Sequence, residues 1–184
     1  IDRADVAVLI LDASELAKSQ DAHIANYILE AYKGIVLAVN KWDLASKIGL
    51  DMESAKLEVR KQFGFAPYSP IRFISATEGS GINELLKTVR MVYSQWCMTL
   101  PRYDLRRTIL NAVADHPPSS RGRHSLKVYG VTQDQTSPPS FTFYVNKSDM
   151  VHFSYRRYLE NSIRDVYGFN GTPLRIRFKG RDSK

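Results

Sequence analysis

The sequence is poor in cysteine and has no long apolar run. Cys97 is the only cysteine among 184 residues, so the chain forms no internal disulfide and no cysteine-based zinc site. The longest apolar runs, such as Val6 to Leu11, fall far short of the roughly 20 residues of a membrane-spanning helix. The charged start does not resemble a signal peptide. We therefore expect a cytoplasmic protein without a membrane segment. Because no methionine precedes the first strand-like run, we also expect part of the protein to lie upstream.

The first half of the chain has no excess of either charge. Residues 1–100 contain 11 basic and 12 acidic side chains, whereas residues 101–184 contain 15 basic and 7 acidic ones. The formal net charge of +7 therefore belongs entirely to the second half. A basic surface suits nucleic acid, an acidic membrane or simple solubility. The two halves are expected to have different tasks.

Strand-like and helical patterns alternate in the first half. β-rich apolar runs at 6–11, 35–39 and 71–74 alternate with segments of helical spacing at 20–32, 51–63 and 81–97. Leu57, in the segment 51–63, and Leu86, in the segment 81–97, are among the residues that supply the apolar positions of these predicted helices. This order predicts βαβ crossovers and a parallel sheet, which is an α/β fold.

Pro101 marks a change of composition and predicts a domain boundary, giving domains at 1–98 and 99–184. The second region predicts an α+β module. Its expected elements are a helix capped by Asp104 and ending near Asp115, a loop at 116–124, strands at 125–132 and 141–145 around a turn at 136–139, a helix at 152–167 and a strand at 174–178. In the last helix, Phe153, Leu159, Ile163 and Val166 are expected to face inward. His152 is expected to cap this helix, and Gly168 to end it.

The strongest short motif is Asn40-Lys41-Trp42-Asp43, directly after the second predicted strand. Ligands of open α/β sheets bind at the carboxyl ends of the strands. A carboxylate such as Asp43 can accept both the N1–H and the N2–H₂ of guanine, while the Lys41 stem can lie over the base plane. Ser75-Ala76 follows the third strand and resembles the S-A element of GTPases; this resemblance implies that the Ala76 backbone N–H meets guanine O6. The alternative is that Asp43 only caps a turn. Asp12, which ends the first strand, is expected to be structural.

Two phosphate-handling elements are missing. The sequence has no G-x-x-x-x-G-K-[ST] loop, and residues 1–98 contain no D-x-x-G element to position Mg²⁺. Phosphoryl transfer depends on such positioning. We therefore predict no useful hydrolysis and weak nucleotide binding by these 184 residues alone. No set of catalytic residues and no metal-ligand spacing stands out.

The whole chain resembles the C-terminal part of the bacterial GTPase family called Der or EngA. The residues that carry the resemblance are the runs Ile1–Val6, Leu11–Ala13, Asn40–Asp43, Phe73–Ala76, Phe143–Asn146, Val151–Asn161 and Gly168–Arg175. The resemblance implies part of a second GTPase domain followed by a KH-like domain. It also implies upstream GTPase domains of the same protein, GTP or GDP as ligand, and Mg²⁺ only with the missing part.

The same resemblance implies a role in assembly of the large ribosomal subunit. Asn40, Lys41, Asp43, Ser75 and Ala76 would form the guanine pocket. The family lacks the exposed G-x-x-G loop with which ordinary KH domains clamp RNA, and we expect no such clamp here.

The basic second region offers candidate RNA contacts. They are Arg121, Arg123, Arg156, Arg157, Arg175 and Arg177. These arginines can instead face the neighbouring GTPase domain or only solvate the surface. Likewise, Tyr155, Tyr158, Tyr167 and Phe169 can stack on bases or belong to the core. The rival function is an RNA-binding or ribosome-docking module with no nucleotide activity of its own.

Overall fold

A computed structural model describes residues 3–16, 18–118, 120–121 and 124–180. The chain divides into two compact units. The first comprises Ile1–Trp96 with Asn170–Pro173, and the second comprises Cys97–Phe169 with Leu174–Lys184.

The first unit contains a parallel three-stranded sheet with helices, as the alternating pattern predicts. Its strands are β1 (Val6–Asp12), β2 (Gly34–Asn40) and β3 (Ile71–Phe73), hydrogen-bonded in the order β1-β2-β3. Its helices are α1 (Ser19–Glu30), α2 (Met52–Gln62) and α3 (Ile82–Trp96). A 3₁₀ helix, Trp42–Ile48, follows β2.

The central strand β2 is buried on both faces, which explains its unbroken apolar sequence. Because successive side chains of a strand point to opposite faces, Ile35, Leu37 and Val39 join one apolar cluster, which includes Ile28 of α1 and Val59 of α2. Their neighbours Val36 and Ala38 join a second cluster with Leu85 and Val92 of α3. The sheet is therefore covered on both sides by helices.

Several of the predicted apolar positions in these helices are not buried, and Leu57 and Leu86 are the most exposed of them. Leu57 is 71% exposed, and Leu86 is 53% exposed. The buried residues of α2 are Ala55 and Val59, four positions apart on one stripe, and Leu57 lies about half a turn away from it.

The second unit has a mixed sheet. Its elements are α4 (Arg102–Asp115), β4 (Ser120–Arg121), β5 (His124–Ser125), β6 (Val128–Thr136), β7 (Pro139–Val145), α5 (Phe153–Tyr167) and β8 (Arg175–Gly180). Strands β6 and β7 pair antiparallel, and β7 and β8 pair parallel. One core contains Leu105 and Ile109 of α4, Phe141 and Phe143 of β7, Leu159 and Ile163 of α5, and Ile176 of β8. The predicted α+β module is confirmed.

Several local predictions in this unit are wrong. The expected 116–124 loop contains β4, and the strand expected at 125–132 instead runs from Val128 to Thr136. Helix α4 begins two residues before Asp104, which pairs with Arg107 at 3.7 Å instead of capping the helix.

The face of α5 also differs from the prediction. Phe153 is 70% exposed and Val166 is 60% exposed, whereas Leu159 and Ile163 are buried as expected. His152 does cap this helix, because its Nδ1 accepts a hydrogen bond from the Ser154 backbone N–H at 3.3 Å.

Within the described residues, no helix combines the length and the apolar character that crossing a membrane requires.

Candidate nucleotide-base site

The candidate site lies where the parallel strands of the first unit end. Asp12 and Asn40 are register partners at the ends of β1 and β2. The residue after β3, Ile74, donates its N–H to Val39 O at 2.8 Å and accepts the Trp42 N–H at 3.0 Å. These backbone bonds join the loop after β2 to the loop after β3, so the two sequence motifs meet at one edge of the sheet.

Asn40 connects the two motifs directly. Its Oδ1 accepts a hydrogen bond from the Ala76 backbone N–H at 3.0 Å. This is the donor that the sequence predicts for guanine O6, so a bound base would share or take over a bond that Asn40 makes here. Asn40 therefore holds the Ala76 loop against the end of β2, and the direct contact of Ala76 with guanine stays a prediction.

Lys41 is fixed by an ion pair. Its backbone adopts a left-handed conformation with φ of 62°, and its Nζ lies 2.6 Å from Asp12 Oδ2. Asp12 also accepts hydrogen bonds from the Ser14 N–H at 2.9 Å and the Ser14 hydroxyl at 2.7 Å. The Lys41 contact and then the Ser14 contacts lower the pKa of Asp12 to about 2, and the Asp12 carboxylate raises the pKa of Lys41. Asp12 thus positions the lysine, a structural role more specific than the one that the sequence predicts.

Asp43 has an unpaired oxygen. Among the described residues, its buried Oδ1 has no hydrogen-bond partner. Leaving a buried acceptor unsatisfied costs about 1–3 kcal/mol, and such groups are rare in folded proteins. The neighbouring Trp42 ring packs on Phe73 with centroids 4.3 Å apart, which holds this loop in place. Within the described part of the chain, one oxygen of the Asp43 carboxylate therefore lacks a donor.

Ser75 shapes the second loop. It is fully buried, its N–H donates to Ser80 O at 3.0 Å, and its hydroxyl accepts the Glu78 N–H at 3.2 Å. Gly81 closes the turn at a φ of 74°, where a Cβ would lie only 2.3 Å from Phe73 O. Ser75 therefore fixes the conformation of the loop that contains Ala76. Its own contact with a nucleotide stays a prediction.

The candidate RNA contacts of the second unit do not form one patch. Arg156 and Arg157 are exposed on α5. Arg175 and Arg177 alternate with the core residue Ile176 and therefore lie on the face of the sheet away from α5. Only the backbone of Arg121 is described, as part of β4, and Arg123 lies outside the described residues.

The aromatic residues that were candidates for base stacking belong to the core. Tyr155 and Tyr158 pack against it and donate their hydroxyls to the backbone oxygens of His116 and Ala112, at 3.1 Å and 2.8 Å. Tyr167 also packs against the core, and Phe169 is fully buried. Burial raises the pKa of Tyr155 to about 12.

A G-x-x-G sequence does occur at residues 168–171, but it is not an exposed RNA clamp. It follows α5, and Phe169 and Gly171 are both buried. Because Phe169, one of the two residues between its glycines, is fully buried, this run does not form an open loop around a nucleic-acid backbone.

Two family models match the chain. Residues 1–95 match the elongation factor Tu GTP binding domain, and residues 100–179 match the KH-domain-like C-terminal domain of EngA bacterial GTPase enzymes. Among solved structures, the FeoB G-domain from Methanococcus jannaschii is 28% identical, with 49% of this chain and 51% of that chain covered and a TM-score of 0.38.

Curated relatives match the whole chain. GTPase Der of Chloroflexus aggregans is 43% identical over 100% of this chain, and that of Herpetosiphon aurantiacus is 41% identical over the same share. The chain spans 41% of the length of each of these relatives. The GTP binding domain model covers more than half of the 184 residues, and the EngA model covers most of the remainder. On these grounds the chain belongs to the EngA (GTPase Der) family.

Proposed function

We propose that this chain is the guanine-reading and RNA-contacting part of a GTP-binding protein that acts in assembly of the large ribosomal subunit in the cytoplasm. Its domain 1–98 reads the base of GTP or GDP, and its domain 99–184 contacts ribosomal RNA. Hydrolysis belongs to the protein together with upstream GTPase domains.

The unpaired Asp43 oxygen carries the nucleotide part of the proposal. Guanine offers two adjacent donors, N1–H and N2–H₂, and a carboxylate accepts both. Adenine does not have this pair of donors, so Asp43 favours guanine. Lys41, held by Asp12 at 2.6 Å, supplies an extended aliphatic stem beside the same loop. Asn40 keeps the Ala76 loop within reach of the base.

Weak binding by these 184 residues follows from the missing phosphate loop. Most of the affinity of such sites comes from backbone N–H groups and a lysine around the phosphates, and the sequence has no G-x-x-x-x-G-K-[ST] element. The family resemblance implies Mg²⁺ only together with the missing upstream part, so no step of this proposal is assigned to it. The rival function, an RNA-binding module without nucleotide activity, is favoured by the same missing loop together with the charge of the second half.

The ribosomal part rests on the family resemblance and on charge. Residues 101–184 contain 15 basic and 7 acidic side chains, which suits sequence-independent contact with phosphates. Arg156, Arg157 and Arg177 are exposed and available for such contacts. Affinity for RNA is then expected to fall as salt rises, and affinity that is indifferent to salt would contradict the electrostatic account.

A base swap tests the role of Asp43. In Asp43→Asn, the new amide donates to the 2-oxo group of xanthine, which replaces the 2-amino donor of guanine. We expect the preference to move from GDP to xanthosine diphosphate by about ten-fold or more, because a hydrogen bond to a charged group contributes about 1.5–3 kcal/mol. Backbone amide shifts of Ala76 and Trp42 in a nitrogen-15 NMR titration measure this preference even when binding is weak.

Asp51→Asn is the matched control. Asp51 caps α2 through the Glu53 and Ser54 N–H groups, and asparagine caps equally well. This control should keep the GDP preference. A GDP preference that survives in Asp43→Asn would refute the assignment of Asp43. If neither nucleotide changes the NMR chemical shift of any backbone amide in the parent chain, the result favours the rival function, an RNA-binding module without nucleotide activity. Micromolar GTP affinity would overturn the expectation of weak binding.

A further inference from the structure

A cavity of about 230 Å³ lies in the second unit, and its lining includes none of the arginines that the sequence suggested as RNA contacts. It is lined by Arg102, Arg106, Tyr129, Gly130, Val131, Thr132 and Tyr144. Small-molecule pockets usually measure about 300–1,000 Å³, so this cavity suits one planar ring better than a whole nucleotide.

Gly130 creates the space. It is the register partner of Tyr144 across the β6–β7 ladder. A Cβ at this position would have only Arg106 Nε nearby, at 4.0 Å. The missing side chain therefore leaves room between the guanidinium of Arg106 and the ring of Tyr144.

The walls combine aromatic and cationic groups. Tyr144 is 40% exposed and Tyr129 is 41% exposed, unlike the buried aromatic residues of the core. The Tyr144 hydroxyl lies 3.4 Å from Thr132 Oγ1, which holds the ring beside the cavity. Arg102 and Arg106 are exposed on the first two turns of α4.

The cavity lies on a basic face of the sheet. Lys179 is the register partner of Tyr144, and Arg177 is that of Thr142, so both lie on the same face as Tyr144. One carboxylate on this face, Asp134, accepts hydrogen bonds from the hydroxyls of Thr132 and Thr142. The balance of charge on this face therefore favours an anionic ligand.

We infer that this cavity binds one base of a single-stranded RNA, which stacks on Tyr144 while Arg102 and Arg106 contact the adjacent phosphates. Aromatic platforms flanked by cations are the general chemistry of single-strand binding, and every base offers a face to stack on. The inference deepens the proposed RNA contact of this domain. It moves the base contact to the exposed face of the sheet, away from α5.

Fluorescence anisotropy of a labelled oligouridylate with the full 184-residue chain tests the inference. Tyr144→Ala is expected to weaken binding by about ten-fold or more, while Tyr144→Phe keeps the stacking surface and the affinity. Gly130→Val fills the cavity at a position with open space and should also weaken binding. Each phosphate contact of a single strand contributes about 0.7 to the slope of log affinity against log salt, so Arg106→Ala should reduce that slope by about this amount.

Two neighbours on α4 are matched controls. Tyr103 is 74% exposed and Arg107 lies over its ring at 5.9 Å, yet neither lines the cavity. Tyr103→Ala and Arg107→Ala should therefore keep the parent affinity within about two-fold.

Each failure has its own signature. If Tyr144→Ala and Gly130→Val bind RNA like the parent while Arg156→Ala or Arg157→Ala loses affinity, the inference is overturned and the proposed RNA contact remains. If the parent chain binds no RNA at low salt, both are overturned, while the guanine site is still judged by the separate NMR titration.

Discussion

Replacing Gly171 with alanine should destabilise the first unit strongly. Gly171 belongs to the segment Asn170–Pro173, which is part of that unit. Its O accepts the Ile35 N–H at 2.7 Å, and its N–H donates to Tyr68 O at 2.8 Å. Ile35 is the second residue of the buried central strand. Gly171 therefore supplies a hydrogen-bond acceptor to the middle of the sheet.

The magnitude follows from two separate penalties. The φ of Gly171 is +67°, where an L-residue loses about 1 kcal/mol or more. A Cβ would also lie 2.6 Å from Val92 Cγ2 and 2.7 Å from Ile35 O. The β-branched side chain of Val92 and the strand carbonyl of Ile35 have little freedom to move away. The segment that contains Gly171 must therefore shift and lose its hydrogen bonds to Ile35 and Tyr68, which contribute about 1 kcal/mol each. We expect a total loss of about 3 kcal/mol.

Gly49→Ala separates the two penalties. Gly49 has a similar φ of +68° with nothing within 4 Å of its ideal Cβ, so only the backbone penalty of about 1 kcal/mol applies. Both tryptophans of the chain, Trp42 and Trp96, lie in the first unit, so urea unfolding followed by tryptophan fluorescence reports on this unit. If Gly171→Ala costs no more than Gly49→Ala, the close packing of Gly171 is refuted as its cause.

Strong periodic patterns made most of the fold predictable. The run Gly34–Asn40 is buried at nearly every residue, and such a run indicates a strand with helices on both faces. Single faces of helices were harder to predict. Val166 and Phe153 are apolar and fit a helical spacing loosely. The residues of α5 in the core are nevertheless Leu159 and Ile163, four residues apart, and the rings of Tyr155 and Tyr158 pack against that core. The sequence of a single helix does not show which of two overlapping apolar faces packs against the rest of the domain.

The positions of the candidate base-site residues could be predicted from the sequence, but the contacts between them could not. Asn40, Asp43 and Ala76 follow strand ends, and parallel strands bring their ends to one edge. The bond from Ala76 to Asn40 joins residues 36 positions apart, and the ion pair of Lys41 with Asp12 depends on the register of β1 with β2. Neither has a local signal. The cavity beside Tyr144 was missed for the same reason, because Arg106 and Gly130 meet only through the packing of α4 on β6.

Two further substitutions test the core of the second unit and the ion pair of the first. Leu159→Ala should cost about 2–5 kcal/mol of unfolding free energy, whereas Val166→Ala on the same helix should cost about 0.5 kcal/mol or less; equal losses in denaturant unfolding followed by circular dichroism would contradict the assigned face of α5. The pKa of Asp12 is lowered from 3.8 to about 2 in the folded protein, so this carboxylate stabilises the fold above pH 3.8, and its contribution is lost as the pH falls through 2. Because the contact with Lys41 is the largest cause, Lys41→Met should raise the pKa of Asp12 towards 3.8 in a carbon-13 NMR titration, and a pKa that stays near 2 would assign the shift to Ser14 instead.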